Sequence, residues 1–415
     1  MTTPPRAPRS PRTPRSPGSG RRTAVALAAV ALLALTACAP GDTSASSEPR
    51  AAREQLPEVD PATAALPRPL SDRRLVDPGW ATVAKELDGV FLAPRETGAG
   101  TLEYLAVDAS GEVLWTATRP PSCTGFVLTT TEAGQPVAIL TDQAPSRTRI
   151  ADPVASAYDL RTGEQLWGPT RVTGPYKGPG LVFAAPPAGF MGEVGEKVAL
   201  DPQSGAPIAR ESTLDGARII GEYHGDVLTI TAERITSLSR AHGALVPSWE
   251  IPLAGTGWDP TLIGNATRHH ELGAAFLSIP TTAATDTIVA SQTGRVIVDE
   301  VLDAARDPLT GVLIASTEAA IRGFTDAGEL IWETPRDPAV QLVGAGSGIA
   351  FLRDGERNTA LAASDGSRAT DIFPGAAAAA EVYLPTLSTP GGAAVVERGA
   401  QRMLVTTEPA PPSSH

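Results

Sequence analysis

Residues Tyr158-Asp159-Leu-Arg-Thr162-Gly163-Glu-Gln-Leu-Trp167 close one apolar strand, turn, and open a second strand that carries a tryptophan. An Asp at the first turn position can accept hydrogen bonds from backbone N–H groups two or three residues on, and Gly takes the left-handed conformation that closes a hairpin with a bulge. A Trp a few residues later lies on the outer strand, where its flat side chain can wedge against a neighbouring sheet and bury about 150–250 Å².

The same pattern recurs along the chain, as Asp108-Ala-Ser-Gly111-Glu-Val-Leu-Trp115, Asp201-Pro-Gln-Ser-Gly205, Ser239-Arg-Ala-His242-Gly243, Ser291-Gln-Thr-Gly294, Thr325-Asp-Ala-Gly328-Glu-Leu-Ile-Trp332 and Ser364-Asp-Gly366. The turn glycines at 111, 163, 205, 243, 294, 328 and 366 are 52, 42, 38, 51, 34 and 38 residues apart. That is the period of a four-stranded propeller blade with variable loops. Composition agrees: 40 Gly and 39 Pro in 415 residues interrupt the chain too often for long helices.

The repeat resembles the pyrroloquinoline-quinone-like (PQQ-like) propeller repeat, written Ala-Leu-Asp-x-x-Thr-Gly-x-x-x-Trp. The likeness covers about residues 77–406 and is best in the copies ending at Trp115, Trp167 and Trp332. It implies an all-β, eight-bladed β-propeller, with seven blades as the alternative count. A weaker eighth hairpin runs from Val395 to Val405 and lacks an outer strand of its own. Leu70–Val76 is expected to supply that strand and close the ring, which removes free sheet edges. Trp115, Trp167 and Trp332 are assigned to blade packing, and Asp108, Asp159 and Asp201 with the seven glycines to turns.

The N-terminus is of another kind. Arg6, Arg9, Arg12, Arg15, Arg21 and Arg22 precede an apolar run from Thr23 to Ala37 that is too short to span a bilayer, which is the layout of an export signal. The run ends Leu35-Thr36-Ala37-Cys38, which resembles the lipobox of bacterial lipoproteins. The resemblance implies cleavage before Cys38, a diacylglyceryl group and fatty acyl chains such as palmitate on it, and a place on the extracytoplasmic face of the cell membrane. The expected organisation is a signal peptide over 1–37, Cys38 and a disordered Pro/Ala/Ser-rich tether over 38–69, the propeller over 70–408 and a disordered tail over 409–415. Once Cys38 is lipidated, Cys123 has no partner, so stability must come from packing rather than a disulfide. Three Lys against 31 Arg, with abundant Ala, Gly and Pro, is the bias of GC-rich coding and points to an actinobacterium-like source.

Residues 38–415 carry 28 basic and 46 acidic side chains, which argues against a nucleic-acid partner. Quinoprotein dehydrogenases share the repeat, but the adjacent cysteines that characterise them do not occur here. His224, His242, His269, His270 and His415 show no zinc-ligand spacing, and a Gly-x-Ser-x-Gly elbow is absent. Gly344-Ala-Gly346-Ser-Gly348 reads as a turn into Ile349–Leu352 rather than a phosphate loop. The expectation is therefore a non-catalytic binding or scaffold module for another envelope protein, with no cofactor and no metal. Gln143–Ala155 and Ile279–Asp286 are read as long insertions that could line one face. The alternative is an envelope enzyme acting on a carbohydrate or small molecule in the central channel, marked by convergent carboxylates and His there.

Overall fold

A computed structural model describes residues 46–60, 63–145, 152–186, 195–241, 243–263, 272–355, 357–373 and 382–409. Cys38 and the lipobox residues Leu35, Thr36 and Ala37 lie outside them, as do His242, His269, His270 and His415. The described chain forms eight antiparallel sheets in sequence order, an eight-bladed β-propeller. Among the described residues no helix is long and apolar enough to cross a membrane.

Blade 1 runs from an inner strand Lys85–Leu87 through Val90–Glu96 and Leu102–Asp108 to an outer strand Glu112–Arg119. Blades 2, 4 and 6 repeat this order of four strands, with outer strands Gln165–Arg171, Ala244–Pro252 and Leu330–Pro335. Blades 3, 5 and 7 show three strands each among the described residues, and single bridges extend two of them, Tyr176 to Phe183 in blade 3 and Leu361 to Arg368 in blade 7. The middle strands of the blades are the most deeply buried, as a stacked sheet requires; Val90–Glu96 is buried for its first five residues and Leu313–Ser316 throughout.

Blade 8 closes the ring. Leu384–Ser388, Ala394–Arg398 and Gln401–Pro409 form its first three strands, and Arg73–Val76 from the start of the chain pairs with the third, Leu75 opposite Val405 and Val76 opposite Leu404. The outer strand expected from Leu70–Val76 is thus present, preceded by a four-residue helix, Arg68–Ser71.

The expected tether does not describe residues 46–69. Arg50–Gln55 pairs with Glu112–Arg119 as a fifth strand outside blade 1, and Leu56, Ala64 and Leu66 are buried. Upstream, Ser47 N–H donates to the Thr118 carbonyl (3.0 Å), and the Ser47 carbonyl accepts from Arg119 Nη1 (2.6 Å). Arg119 is itself buried and forms an ion pair with Asp142 of blade 2. Downstream, Val59 N–H donates to the Leu75 carbonyl and Ala65 pairs with Val382, so the segment straps blades 2, 1 and 8 together. A low share of large apolar residues hid this, because the strap is held partly by backbone hydrogen bonds, which any residue supplies, and by only a few buried side chains such as Leu56 and Leu66.

Candidate functional site

Tryptophans lock blades 1, 2, 4 and 6 to the blade that follows by one repeated geometry. Trp115 Nε1 donates to the Leu160 carbonyl, Trp167 to Pro202, and Trp332 to Ala363, each at 2.8 Å. In every case the accepting carbonyl lies three residues before the turn glycine of the following blade, and that glycine sits on the indole. A Cβ at Gly163 would lie 2.9 Å from Trp115, at Gly205 2.5 Å from Trp167 and at Gly366 2.5 Å from Trp332. Trp249 makes the same contact, donating to the Ser291 carbonyl at 2.7 Å under Gly294. Trp249 went unread in the sequence because it stands six residues after Gly243 rather than four, beyond a register shift in its strand.

The remaining glycines differ. Gly111 and Gly328 meet an arginine and an aliphatic side chain of the preceding blade, Arg74 with Val76 and Arg295 with Ile297, in place of an indole. Gly243 has open space around it, and there only its positive φ of 81° calls for glycine.

The turn carboxylates face backbone donors. Asp108 Oδ1 accepts from the N–H groups of Ser110 (2.8 Å) and Glu112 (3.0 Å), and Asp159 Oδ1 from those of Arg161 (3.0 Å) and Thr162 (2.8 Å). Asp201 accepts from Gln203 N–H and Ser204 Oγ. Burial pushes the Asp159 carboxyl up, but donors from Gln135, Thr162 and Arg161 outweigh it and hold the group below the usual carboxylate range. A further copy, Asp307-Pro-Leu-Thr310-Gly311, escaped the sequence reading although it matches Asp-x-x-Thr-Gly; it joins the first two strands of blade 6, and Asp307 accepts from Thr310. Among the described residues no group of three or more His, Cys, Asp or Glu is placed to hold a metal.

The inner strands enclose a central channel. Its narrower part, about 140 Å³, is lined by Lys85, Thr129, Tyr176, Glu222, Tyr223 and His224 among others. A wider part, about 420 Å³, is lined chiefly by small and apolar residues of blades 1, 5, 6, 7 and 8, including Ala84, Ala305, Val343 and Leu387. Gly344 and Gly346 let the inner strand of blade 7 approach that of blade 8, for a Cβ there would lie 2.3 Å from the Pro385 carbonyl oxygen or 2.1 Å from Ser388 Oγ.

Glu222 and His224 bring a carboxylate and an imidazole to the channel, which no motif signalled. Both belong to a hairpin device. Glu222 Oε1 accepts from Gly225 N–H (2.6 Å) and Oε2 from Leu181 N–H of blade 3 (2.7 Å). Glu86 accepts in the same way from Gly89 N–H (2.7 Å). In each, a Glu three residues before Gly secures a two-residue turn with both positions at positive φ, Asp88-Gly89 and His224-Gly225. Burial raises the Glu222 carboxyl to about 7 against the opposing pull of those two N–H donors. His224 Nδ1 is hydrogen-bonded to Thr130 Oγ1 (2.8 Å), and burial keeps its ring below the usual histidine value.

Two sequence readings of loops change. Ile279–Asp286 is a tight hairpin between Phe276–Pro280 and Asp286–Ala290, closed by Thr282 and Thr285. It is no long insertion, because strand pairing continues to Pro280 and resumes at Asp286. Gln143–Ala155 likewise lies largely within paired strands, with 146–151 outside the described residues.

No family model matches the chain, and no curated protein matches it. Solved structures do. BamB from Moraxella catarrhalis is 15% identical with a TM-score of 0.39, over 80% of this chain and 94% of that one. The computationally designed Ika8 protein is 10% identical with a TM-score of 0.40, over 83% and 99% respectively. AztD from Citrobacter koseri is 12% identical with a TM-score of 0.29, over 70% of each chain. None of these likenesses says what this chain binds.

Proposed function

We propose that the protein is a PQQ-like repeat propeller, lipid-anchored through Cys38 on the extracytoplasmic face of the cell membrane, that acts as a non-catalytic binding module for another envelope protein. One observation carries the choice of surface. Two or three residues beyond the turn glycine, the outer strands of blades 4, 5 and 6 expose Val246, Val296, Leu330 and Ile331, between 40% and 56% accessible. The corresponding residues of blade 1, Val113 and Leu114, are buried, with Arg50–Gln55 paired along that strand. In blades 2 and 3 the exposed residues there are Gln165 and Pro207. Blades 4–6 therefore present an uncovered apolar edge on the side of the ring opposite the strap, and exposed apolar edges of this kind mark protein contacts.

Cross-linking from that edge tests the reading. An extended segment of a partner adding to the outer strand, as Arg50–Gln55 adds to blade 1, is the mode of binding this geometry favours.

An enzyme acting within the channel is the second reading, and Glu222 with His224 favours it. Against it, both Glu222 oxygens accept backbone hydrogen bonds and Glu86 serves its own turn. A general base needs a lone pair aimed at substrate within about 3 Å. Turnover of a candidate substrate that Glu222→Gln abolishes would favour this reading over the first.

A further inference from the structure

Blade 1 carries a fifth strand, and the contacts of that strand show what such an edge accepts. Arg53 Nη1 of the strap pairs with Glu112 Oε1 at 3.2 Å, Gln55 Oε1 accepts from Arg74 Nη2 of blade 8 at 2.6 Å, and Leu56 joins Val113 and Val76 in one apolar cluster. Glu112 and Val113 directly follow the turn glycine Gly111, while Arg74 and Val76 come from the preceding blade and sit against that glycine. The strap thus meets Glu112, Val113, Arg74 and Val76 together.

Blade 6 repeats that arrangement without a strap. Its outer strand follows Gly328 as Glu329-Leu330-Ile331-Trp332, against Glu112-Val113-Leu114-Trp115 in blade 1. Arg295 and Ile297 of blade 5 sit against Gly328 as Arg74 and Val76 sit against Gly111, and each arginine donates to the carbonyl just before its glycine, that of Ala327 or Ser110. Blade 2 also has a Glu after its glycine, Glu164, but there Trp115 takes the place of the arginine. Among the described residues, blade 6 alone shares both features with blade 1. No strand pairs with the outer side of Leu330–Pro335 among them, and Glu329 is in no ion pair, Arg306 and Arg322 being held by Asp326 and Glu333. Leu330 is 56% accessible where its counterpart Val113 is fully buried.

We propose that the outer strand of blade 6 binds an extended partner segment with the chemistry of the strap: an Arg that pairs with Glu329, a side-chain acceptor two residues on that meets Arg295, and an adjacent apolar residue that covers Leu330 and Ile297. Arg53, Gln55 and Leu56 stand in that order in the strap. The proposal rests on the reading of blades 4–6 as a partner-binding edge and narrows it to one strand and one chemistry. The strap of a second copy is the poorer occupant, because leaving its own blade 1 would strip buried Arg119 of the Ser47 carbonyl and take Leu56 out of its cluster.

A labelled peptide of the strap's own sequence, Ser47 to Leu56, is the probe, titrated by fluorescence anisotropy against the full chain at low salt. It should bind saturably, one peptide per chain. An exposed ion pair contributes little, but reversing one charge removes it and adds repulsion, so Glu329→Lys should weaken the peptide about fivefold or more. A peptide carrying Arg53→Glu should bind the wild type as poorly, and should bind the Glu329→Lys variant within about twofold of the original pair. Glu112→Lys should leave binding of the unaltered peptide within about twofold. Glu329 is exposed, so its variant should melt as the wild type does. Three results would overturn the proposal: no saturable binding, losses from the two charge reversals that add rather than cancel, or a loss with Glu112→Lys in place of Glu329→Lys, which would put the peptide on blade 1 in exchange for the resident strap. A protein adduct at Leu330 in cells without any peptide binding would contradict the strap-like chemistry alone and leave the partner reading standing.

Discussion

Gly163 rests on the indole of Trp115: a Cβ there would stand 2.9 Å from Trp115 Cγ, and the indole N–H donates at 2.8 Å to the carbonyl of Leu160 in the same turn. One blade's outer strand is therefore bolted to the next blade's hairpin by a residue pair 48 positions apart. The turn glycine meets two demands at once, a positive φ of 72° and the absence of a side chain.

Trp115→Ala removes a fully buried indole together with its hydrogen bond. The expected loss is about 3–5 kcal/mol through cavity formation, with a similar loss for Trp249→Ala. Gly163→Ala should also destabilise markedly, whereas Gly243→Ala meets no neighbour and should cost only about 1 kcal/mol from backbone strain. Denaturant unfolding of the four variants checks the order; equal losses at Gly163 and Gly243 would contradict the bolting role.

A chain starting at residue 70 should be less stable than one starting at residue 46. It would lose the Ser47 carbonyl that accepts from buried Arg119 and the buried side chains of Leu56 and Leu66. Each of those leucines is worth about 1.5–3 kcal/mol. Thermal melting of the two chains side by side is the measurement, and indistinguishable melts would show that the strap contributes nothing.

Glu222 gives a pH signature. Its carboxyl titrates at about 7 in the folded chain against an ordinary 4.5, so the folded state binds the extra proton between those values. Stability from this group is present below about pH 4.5 and is lost as pH rises through 7, a change on the order of 3 kcal/mol. His224, held low by burial, acts in the opposite sense as pH falls through its usual range. The difference between wild type and Glu222→Gln isolates the first effect, and the wild type should lose more stability than the variant from pH 5 to pH 8. Parallel pH profiles would refute it.

Replacing Cys38 by Ala should leave an unprocessed precursor. Two acyl chains hold a protein stably where one does so only marginally, so a diacylglyceryl group on Cys38, as proposed, would suffice as an anchor. Mass measurement of the wild-type N-terminus should find Cys38 acylated. Wild-type protein recovered from the medium without an acyl group would refute the anchor.

The blade count and the ring closure were legible because turn chemistry repeats: Asp159 and Gly163 state their roles locally, and the period follows from the glycines. The strap was not legible, because much of its pairing runs through backbone groups, and the side chains that add to it, Ser47 Oγ accepting from Thr118 N–H and Arg53 pairing with Glu112, follow no sequence pattern. The channel was not legible either. Lys85, Glu222 and Thr386 come from blades 1, 4 and 8, and only closure of the ring brings them to one lumen.

The uncovered edge of blades 4–6 is the centre of the functional account, and photo-cross-linking in intact cells tests it most directly. A photoreactive residue placed at Val296 or Leu330 should give one discrete protein adduct from the membrane fraction. The same residue at Gln165 of blade 2 should give none, and Ile331→Glu should remove the Val296 adduct without lowering the melting temperature. Absence of an adduct from either edge position, or one that survives Ile331→Glu unchanged, would contradict the account.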